Sequence, residues 1–597
     1  MMSAAGLTGS REKAFARYSM NPPKTENAYM REKNPLFSGI RGLLKPPDTA
    51  CSMKLDDAAG SEGGMRCDHR NELHLIMGRW LLLLTVLFVV VVRIRLLGFP
   101  LERDEGEYAY MGQLLLNGIP PYSHAYNMKF PGIYVAYAFF MSAFGQNIQG
   151  IHTGLLFINC ALILMIFFLG KNTVSEFAGI IAAITYAVLS LSFSVLGFAA
   201  HATHYVLLPA IGGVLLLLRA MEKNRSSAYF WSGALLGLSV VILQTGVFFF
   251  IFGASYLVYR HFSSGQQHKS RECVAKLGIF AAGALLPLLV TVTWLLYSGI
   301  FRKFWFWTIV YASAYGAQVP WTKAFDSFEK GLFSVTTTFL PLWLISLSGF
   351  IITLLRRSPE RGKAFVLLFV VFSFLSVCPG FYFRRHYFVT LLPAVSLCVG
   401  IFFDNFKTAG PRLIGLGIFA AVVTAGIIGH RGYFLQEDPV SLSKKIYDLQ
   451  PFSESLRVAD FVGARSTGAD RIAVLGSEPQ IFFYSKRLSA DGYIYTNSLM
   501  EKHTYALSMQ KEMVGEIEAS DPKFIIVVQD DRSWGLTPDS VRYIFRWAKK
   551  YLQTYYHLVG VVDIISSDTT VCKWDRDARN YVVRGLSSTL IFERNPP

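Results

Sequence analysis

Four carboxylates, Glu102, Asp104, Glu105 and Glu107, crowd six consecutive positions directly after an apolar run that ends near Leu97. Acids this close raise one another's pKa unless cations compensate, so one of them is suited to proton transfer or to orienting a hydroxyl for attack. Arg93, Arg95, Arg103 and Lys129 are the cations within reach along the chain. From Glu105 onward the spacing predicts a helix, with Asp104 as N-cap facing water and Tyr108, Met111, Leu115 and Leu116 on one apolar face. Helix capping on a solvated loop would account for Asp104 equally well.

Other candidate groups lie far along the chain. Arg384, Arg385, His386 and Tyr387 are consecutive at the end of an apolar run. Paired guanidiniums suit a phosphate, and the same cluster suits an interfacial anchor. His201 and His204 are three apart, on one side of a helix if one forms there. They could act as base, hydrogen-bond donor or metal ligand, but without a nearby carboxylate in sequence a divalent metal is not supported. Trp305, Trp307, Tyr311, Tyr315 and Trp321 form an aromatic stripe that fits a substrate lid or an interface helix equally.

The elements that must hold these groups are membrane spans. Of 597 residues, 52% are hydrophobic and 16% charged, far from the roughly 25% charged of a soluble domain. Apolar runs such as 80–92, 151–170, 206–218, 277–297 and 364–377 approach the roughly 20 residues that cross a bilayer. The +16 formal charge resides mainly in short loops between such runs. That is the positive-inside pattern, and it argues for topology and against a nucleic-acid partner.

Loop charge also decides whether 130–144 crosses. If it does not, the basic stretches 171–172, 219–225, 260–276, 356–363 and 407–412 fall inside, so a juxtamembrane or re-entrant helix is expected. The reading is then an α-helical polytopic membrane protein with about eleven spans. The outer loop 99–150 and the region after His430 share the outer face. Within 432–597, short apolar runs at 471–477 and 523–530 alternate with helical patterns, predicting an extracytoplasmic α/β domain. Neither run is followed by G-x-G-x-x-G, so no nucleotide site is expected. The seven cysteines show no metal-ligand or disulfide spacing. Residues 1–74 read as a disordered, basic, cytoplasmic segment, with translation from Met65 or Met77 as an alternative.

The loop Arg103-Asp-Glu-Gly-Glu-Tyr-Ala-Tyr, the turn Asn117-Gly-Ile-Pro-Pro-Tyr, Lys129-Phe-Pro-Gly, and Phe383-Arg-Arg-His-Tyr-Phe-Val-Thr-Leu-Leu-Pro resemble the polyprenyl-phosphate-dependent glycosyltransferases of GT-C type. Within that group the relatives are the protein O-mannosyltransferases and the bacterial aminoarabinose and galacturonic acid transferases. The resemblance covers roughly 79–430. It implies an inverting transfer from a polyprenyl-phosphate sugar to a glycolipid, glycan or protein, in a bacterial inner membrane with the site outside. It makes Asp104 and Glu105 the catalytic acids, with Lys129, Arg384 and Arg385 binding the donor phosphate. Glu107, Tyr108, Tyr122, His201, His204 and His386 would bind substrate. The second acid usual in the family between spans three and four is replaced here by the His201 segment. Gln244-Thr245 stands where relatives often carry a lysine, which weakens any inference of a negatively charged sugar. A transporter or flippase of a lipid-linked amphiphile is the rival class.

Overall fold

The computed structural model describes residues 67–263, 270–356 and 361–596. Most of the expected disordered segment lies outside the described residues; its last residues, from Cys67, open the first helix, Cys67–Arg95. Leu, Val and Phe fill that helix from Leu81 to Val92 except at Thr85, whose hydroxyl donates to the Leu81 carbonyl, and the apolar stretch Leu73–Arg95 exceeds a hydrocarbon core.

Among the described residues, six helices are long and apolar enough to cross a membrane, or seven if the pair Trp321–Thr336 and Leu340–Leu355, bent by 116°, is one span. Shorter apolar helices at Gly132–Phe144, Glu176–Leu191, Ser226–Ile242 and Gly362–Leu375 fill the bundle. The expected count of eleven therefore requires several spans below the usual length. Gly132–Phe144 has 13 residues, about 20 Å of helix, and falls short of a crossing.

Small residues set how closely the helices approach. Ser226–Ile242 packs on Ser270–Tyr297 through Gly233 and Gly283, where a Cβ on either would collide with a carbonyl of the opposite helix.

The C-terminal region is a six-stranded sheet. Its strands are β1 (Arg471–Leu475), β2 (Leu488–Ser489), β3 (Phe524–Gln529), β4 (Tyr556–Ile564), β5 (Thr570–Trp574) and β6 (Ser587–Arg594). The order is β2-β1-β3-β6-β4-β5, parallel across β2-β1-β3 and antiparallel beyond. Helices Glu454–Ala464 and Ala506–Ser520 present Val458, Val462, Met513 and Ile517 as buried residues of this region's core.

Candidate active site

The helix Arg103–Leu116 is where sequence and structure first part. Glu102, not Asp104, is its N-cap: Glu102 Oε1 accepts the Glu105 N–H at 3.0 Å, and the Glu105 carboxylate reaches back to the Glu102 N–H. Asp104 is thereby released from capping and sits inside the first turn, where the helix dipole favours a carboxylate. It does not face water; Asp104 is 8% exposed. Every residue from Arg103 to Leu114 is buried, because the C-terminal region covers the face that the sequence pattern leaves polar. At Gly106 an added Cβ would meet the backbone nitrogen of Gln480 at 2.6 Å, so only glycine permits this approach.

The four acids have separate duties. Lys129 Nζ donates to Asp104 Oδ1 at 3.0 Å and to Glu107 Oε2 at 3.2 Å. Its backbone is fixed by Tyr122, whose hydroxyl donates to the Lys129 carbonyl at 2.5 Å, and its ammonium lies 4.9 Å from the centre of the Tyr108 ring. Tyr134 donates to Glu107 Oε1 at 2.8 Å. Burial alone would push Asp104 up, but Lys129, with His386, His201 and Arg384, holds its carboxyl well below the usual range. Glu107 goes the other way: burial pushes it up to about 7, against the pull of Lys129. Burial also raises Glu102, reinforced by the Asp104 and Glu105 charges.

Glu105, expected as the catalytic partner, is fully buried and lines neither cavity that Asp104 borders. Its Oε1 accepts from the Ala200 N–H at 2.7 Å and pairs with His152 Nε2 at 3.0 Å. It anchors the helix to the 197–201 turn. Arg103 is likewise spent, on Glu478 at 2.8 Å and on the Ser477 carbonyl at 2.9 Å. Arg95 donates to the carbonyls of Tyr433 and Glu437. Of the expected counter-cations, Lys129 alone bonds an acid of this helix.

The two histidines diverge. His201 precedes the helix Ala202–Lys223 as its N-cap, and its ring stacks on His386 at 4.2 Å and 13°. Its Nδ1 lies 3.8 Å from Asp104 Oδ2, and His386 Nε2 lies 3.9 Å from the same oxygen. His204 lies in the first turn of that helix, is fully buried and lines neither cavity. Asp104, His201 and His386 each bring a ligand atom within 4.8 Å of the others, the set among the described residues that could hold a cation. No spacing in the sequence announces it. Glu102 Oε1 lies 3.6 Å from His201 Nδ1 beside this set, and Lys129 already bonds the other oxygen of Asp104.

Two cavities meet at Asp104, Arg384, His386 and Tyr495. The larger-walled one, ≈ 270 Å³, is lined by Asp104, Lys129 and Arg384, by Gln244 and Thr245 at a helix break, and by Trp307, Tyr311 and Tyr315. The second, ≈ 330 Å³, is more open and carries Glu102, His201 and Arg385 with Tyr447 and Phe452. Arg384 thus borders both chambers, and Arg385 the second alone. Arg384 donates to Tyr315 Oη at 3.1 Å and lies over the Tyr382 ring. The aromatic stripe divides: Trp307, Tyr311 and Tyr315 line the first cavity, while Trp305 and Trp321 are exposed. Tyr495, Asn497, Ser498 and Glu501 of the C-terminal region complete that cavity. Sequence reading missed them, since no local pattern marks them.

Residues 128–297 match the family model described as dolichyl-phosphate-mannose-protein mannosyltransferase. No curated protein matches the sequence. The fold is similar to that of ArnT from Cupriavidus metallidurans bound to undecaprenyl phosphate, at TM-score 0.55 and 12% identity over 86% of this chain and 98% of that one. The apo form of ArnT gives TM-score 0.55 and 14% identity, over 86% and 97%. The archaeal oligosaccharyltransferase AglB from Archaeoglobus fulgidus is more distant, at TM-score 0.47 and 12% identity over 85% and 75%. The chain thus shares the fold of ArnT, and its residues 128–297 carry the mannosyltransferase family match.

Proposed function

We propose that this membrane glycosyltransferase moves a sugar from a polyprenyl monophosphate to a hydroxyl-bearing glycolipid, glycan or protein on the outer face of a bacterial inner membrane. The observation that carries the reading is the pairing of Asp104 and Lys129, 3.0 Å apart, in the wall of a cavity that Arg384 also lines. Lys129 and Arg384 supply compact and planar positive charge for a phosphate monoester. The ArnT structure bound to undecaprenyl phosphate supports a donor of this class.

In the reaction the acceptor oxygen attacks the anomeric carbon from the face opposite the phosphate, and the bond from that carbon to the phosphate oxygen breaks. The leaving phosphate takes the electron pair, attack from the opposite face inverts the anomeric carbon, and the acceptor hydroxyl's proton passes to Asp104 as the new bond forms. Asp104, ionised because of its cationic surroundings, accepts the hydrogen bond of the attacking hydroxyl and orients it. Lys129 and Arg384 balance charge as it builds on the leaving phosphate. Glu107 and Tyr122 hold Lys129 in place from behind. The first loop contacts the C-terminal region directly, with the Tyr126 N–H donating to the Gly492 carbonyl at 2.7 Å, so the two share a face of the membrane. The positive-inside count supports that face being the outer one.

The test is transfer from a radiolabelled polyprenyl-phosphate sugar by purified full-length protein, wild type against Asp104→Asn. Transfer that survives the substitution undiminished overturns the assignment of Asp104.

A further inference from the structure

A lipid-phosphate-sugar has three parts, and the first cavity offers three surfaces. Its floor is the span-end side, where Asp104 and Lys129 are flanked by Thr203, Leu243 and Thr390; on the donor reading the polyprenyl chain enters there. Lys129 and Arg384 form the cationic wall. The remaining surface is the roof, where Trp307 and Tyr311 meet Asn497, Ser498 and Glu501. With the phosphate at the cations and the lipid in the membrane, the sugar is left to the roof.

Glu501 closes the short helix Asn497–Met500 as its C-cap. Its Oε2 accepts from the Tyr311 hydroxyl at 2.6 Å and from Gln318 Nε2 at 2.9 Å, both on the loop that follows Ile300. Two donors from a separate element fix the carboxylate in orientation. Its Oε1 makes no hydrogen bond among the described residues, and the residue lines the cavity. A fixed carboxylate with one oxygen unused accepts well from a sugar hydroxyl or ammonium and repels a sugar carboxylate. The cations of the lining, Lys129 and Arg384, are committed to the phosphate on this reading, and Gln244-Thr245 adds no third.

We propose that Glu501 is a specificity-determining residue: its free oxygen contacts the donor sugar, admits neutral or aminated sugars and excludes uronic acids. The proposal rests on the polyprenyl-phosphate reading above.

The experiment uses full-length protein in lipid nanodiscs with two synthetic donors, a polyprenyl-phosphate hexose and the matching hexuronic acid, in direct competition. The wild type favours the hexose at least tenfold in kcat/KM. Glu501→Gln keeps the size and the hydrogen bonds, and it narrows that ratio tenfold or more, mainly through a lower KM for the uronic donor. Tyr311→Phe removes a hydrogen bond but no charge, and changes rate without changing the ratio. Asn497→Asp keeps the acceptor oxygen that Ser477 uses, 2.8 Å away, adds a second roof carboxylate and widens the ratio. A ratio that neither Glu501→Gln nor Asn497→Asp moves, or a wild type that uses both donors alike, overturns the role of Glu501 while leaving the glycosyltransferase intact. Absence of transfer from either donor overturns the donor class and this proposal with it.

Discussion

The floor and the roof of the donor cavity are built in opposite ways. The floor's chemistry rides on one helix and the turn after it: Asp104, Tyr108 and Lys129 line the cavity, and Glu107 and Tyr122 hold Lys129 from behind. The roof is assembled from residues hundreds of positions away, and it is joined to the floor by a few strong contacts. Arg103 with Glu478 is one, Tyr110 Oη accepting the Ser489 N–H at 2.8 Å is another, and Tyr484 accepting the Leu101 N–H at 2.9 Å is a third. The difference teaches that reactive groups can be carried by local sequence while their burial, and the choice of substrate, are imposed from outside.

The sharpest test of this division is Asp104→Asn, expected to cost about 10³-fold in transfer rate, on the scale of a lost catalytic acid-base group and its electrostatics. The fold should survive, since Glu107 still engages Lys129. A Tm close to wild type, read beside the transfer assay, separates loss of chemistry from loss of structure. Lys129→Met should follow at about 10²-fold in kcat, with weaker binding of polyprenyl phosphate measured by calorimetry.

The join between floor and roof breaks at Glu478→Ala. The pair is buried, with Glu478 fully covered, so the unpaired Arg103 should cost about 3 kcal/mol of stability. Denaturant unfolding reads that loss, and transfer should drop about tenfold as the site helix loosens. By contrast Glu105→Gln retains neutral hydrogen bonding to Ala200 and should keep most activity. A loss as large as that of Asp104→Asn would restore Glu105 to a catalytic role.

The smallest effect concerns pH. Glu107 has a folded-state pKa raised to about 7, above an ordinary 4.5, so its proton stabilises the fold fully below about pH 4.5. That contribution is lost as pH rises to about 7. Relative to Glu107→Gln, the wild type should therefore lose Tm across this window and run parallel above it. Chelation with EDTA should leave transfer unchanged, because Lys129 supplies the charge that an ion on Asp104 would bring.

Much of the fold was legible because bilayer thickness demands long apolar runs and loop charge orients them. The count led to the expectation that 130–144 does not cross, and the structure forms a helix of 13 residues there. The acidic loop was legible as a site because its acids and Lys129 are close in sequence. Their individual duties were not. Whether Glu102 or Asp104 caps the helix depends on the extended backbone of Glu102, with ψ near −178°, which composition does not encode. That His201 is the N-cap of Ala202–Lys223, with His204 inside its first turn, was likewise not legible from their spacing.

By itself, then, the sequence determined that this chain is a membrane protein with an acidic first loop, and which acid and lysine could act together. Those properties rest on hydropathy and on neighbours a few residues apart. Only the tertiary structure decided that Glu105 is buried against Ala200 and His152, that His386 meets His201 beside Asp104, and that Glu501 lines the cavity. Such meetings depend on packing between distant segments, where shape and burial select partners that no local spacing records.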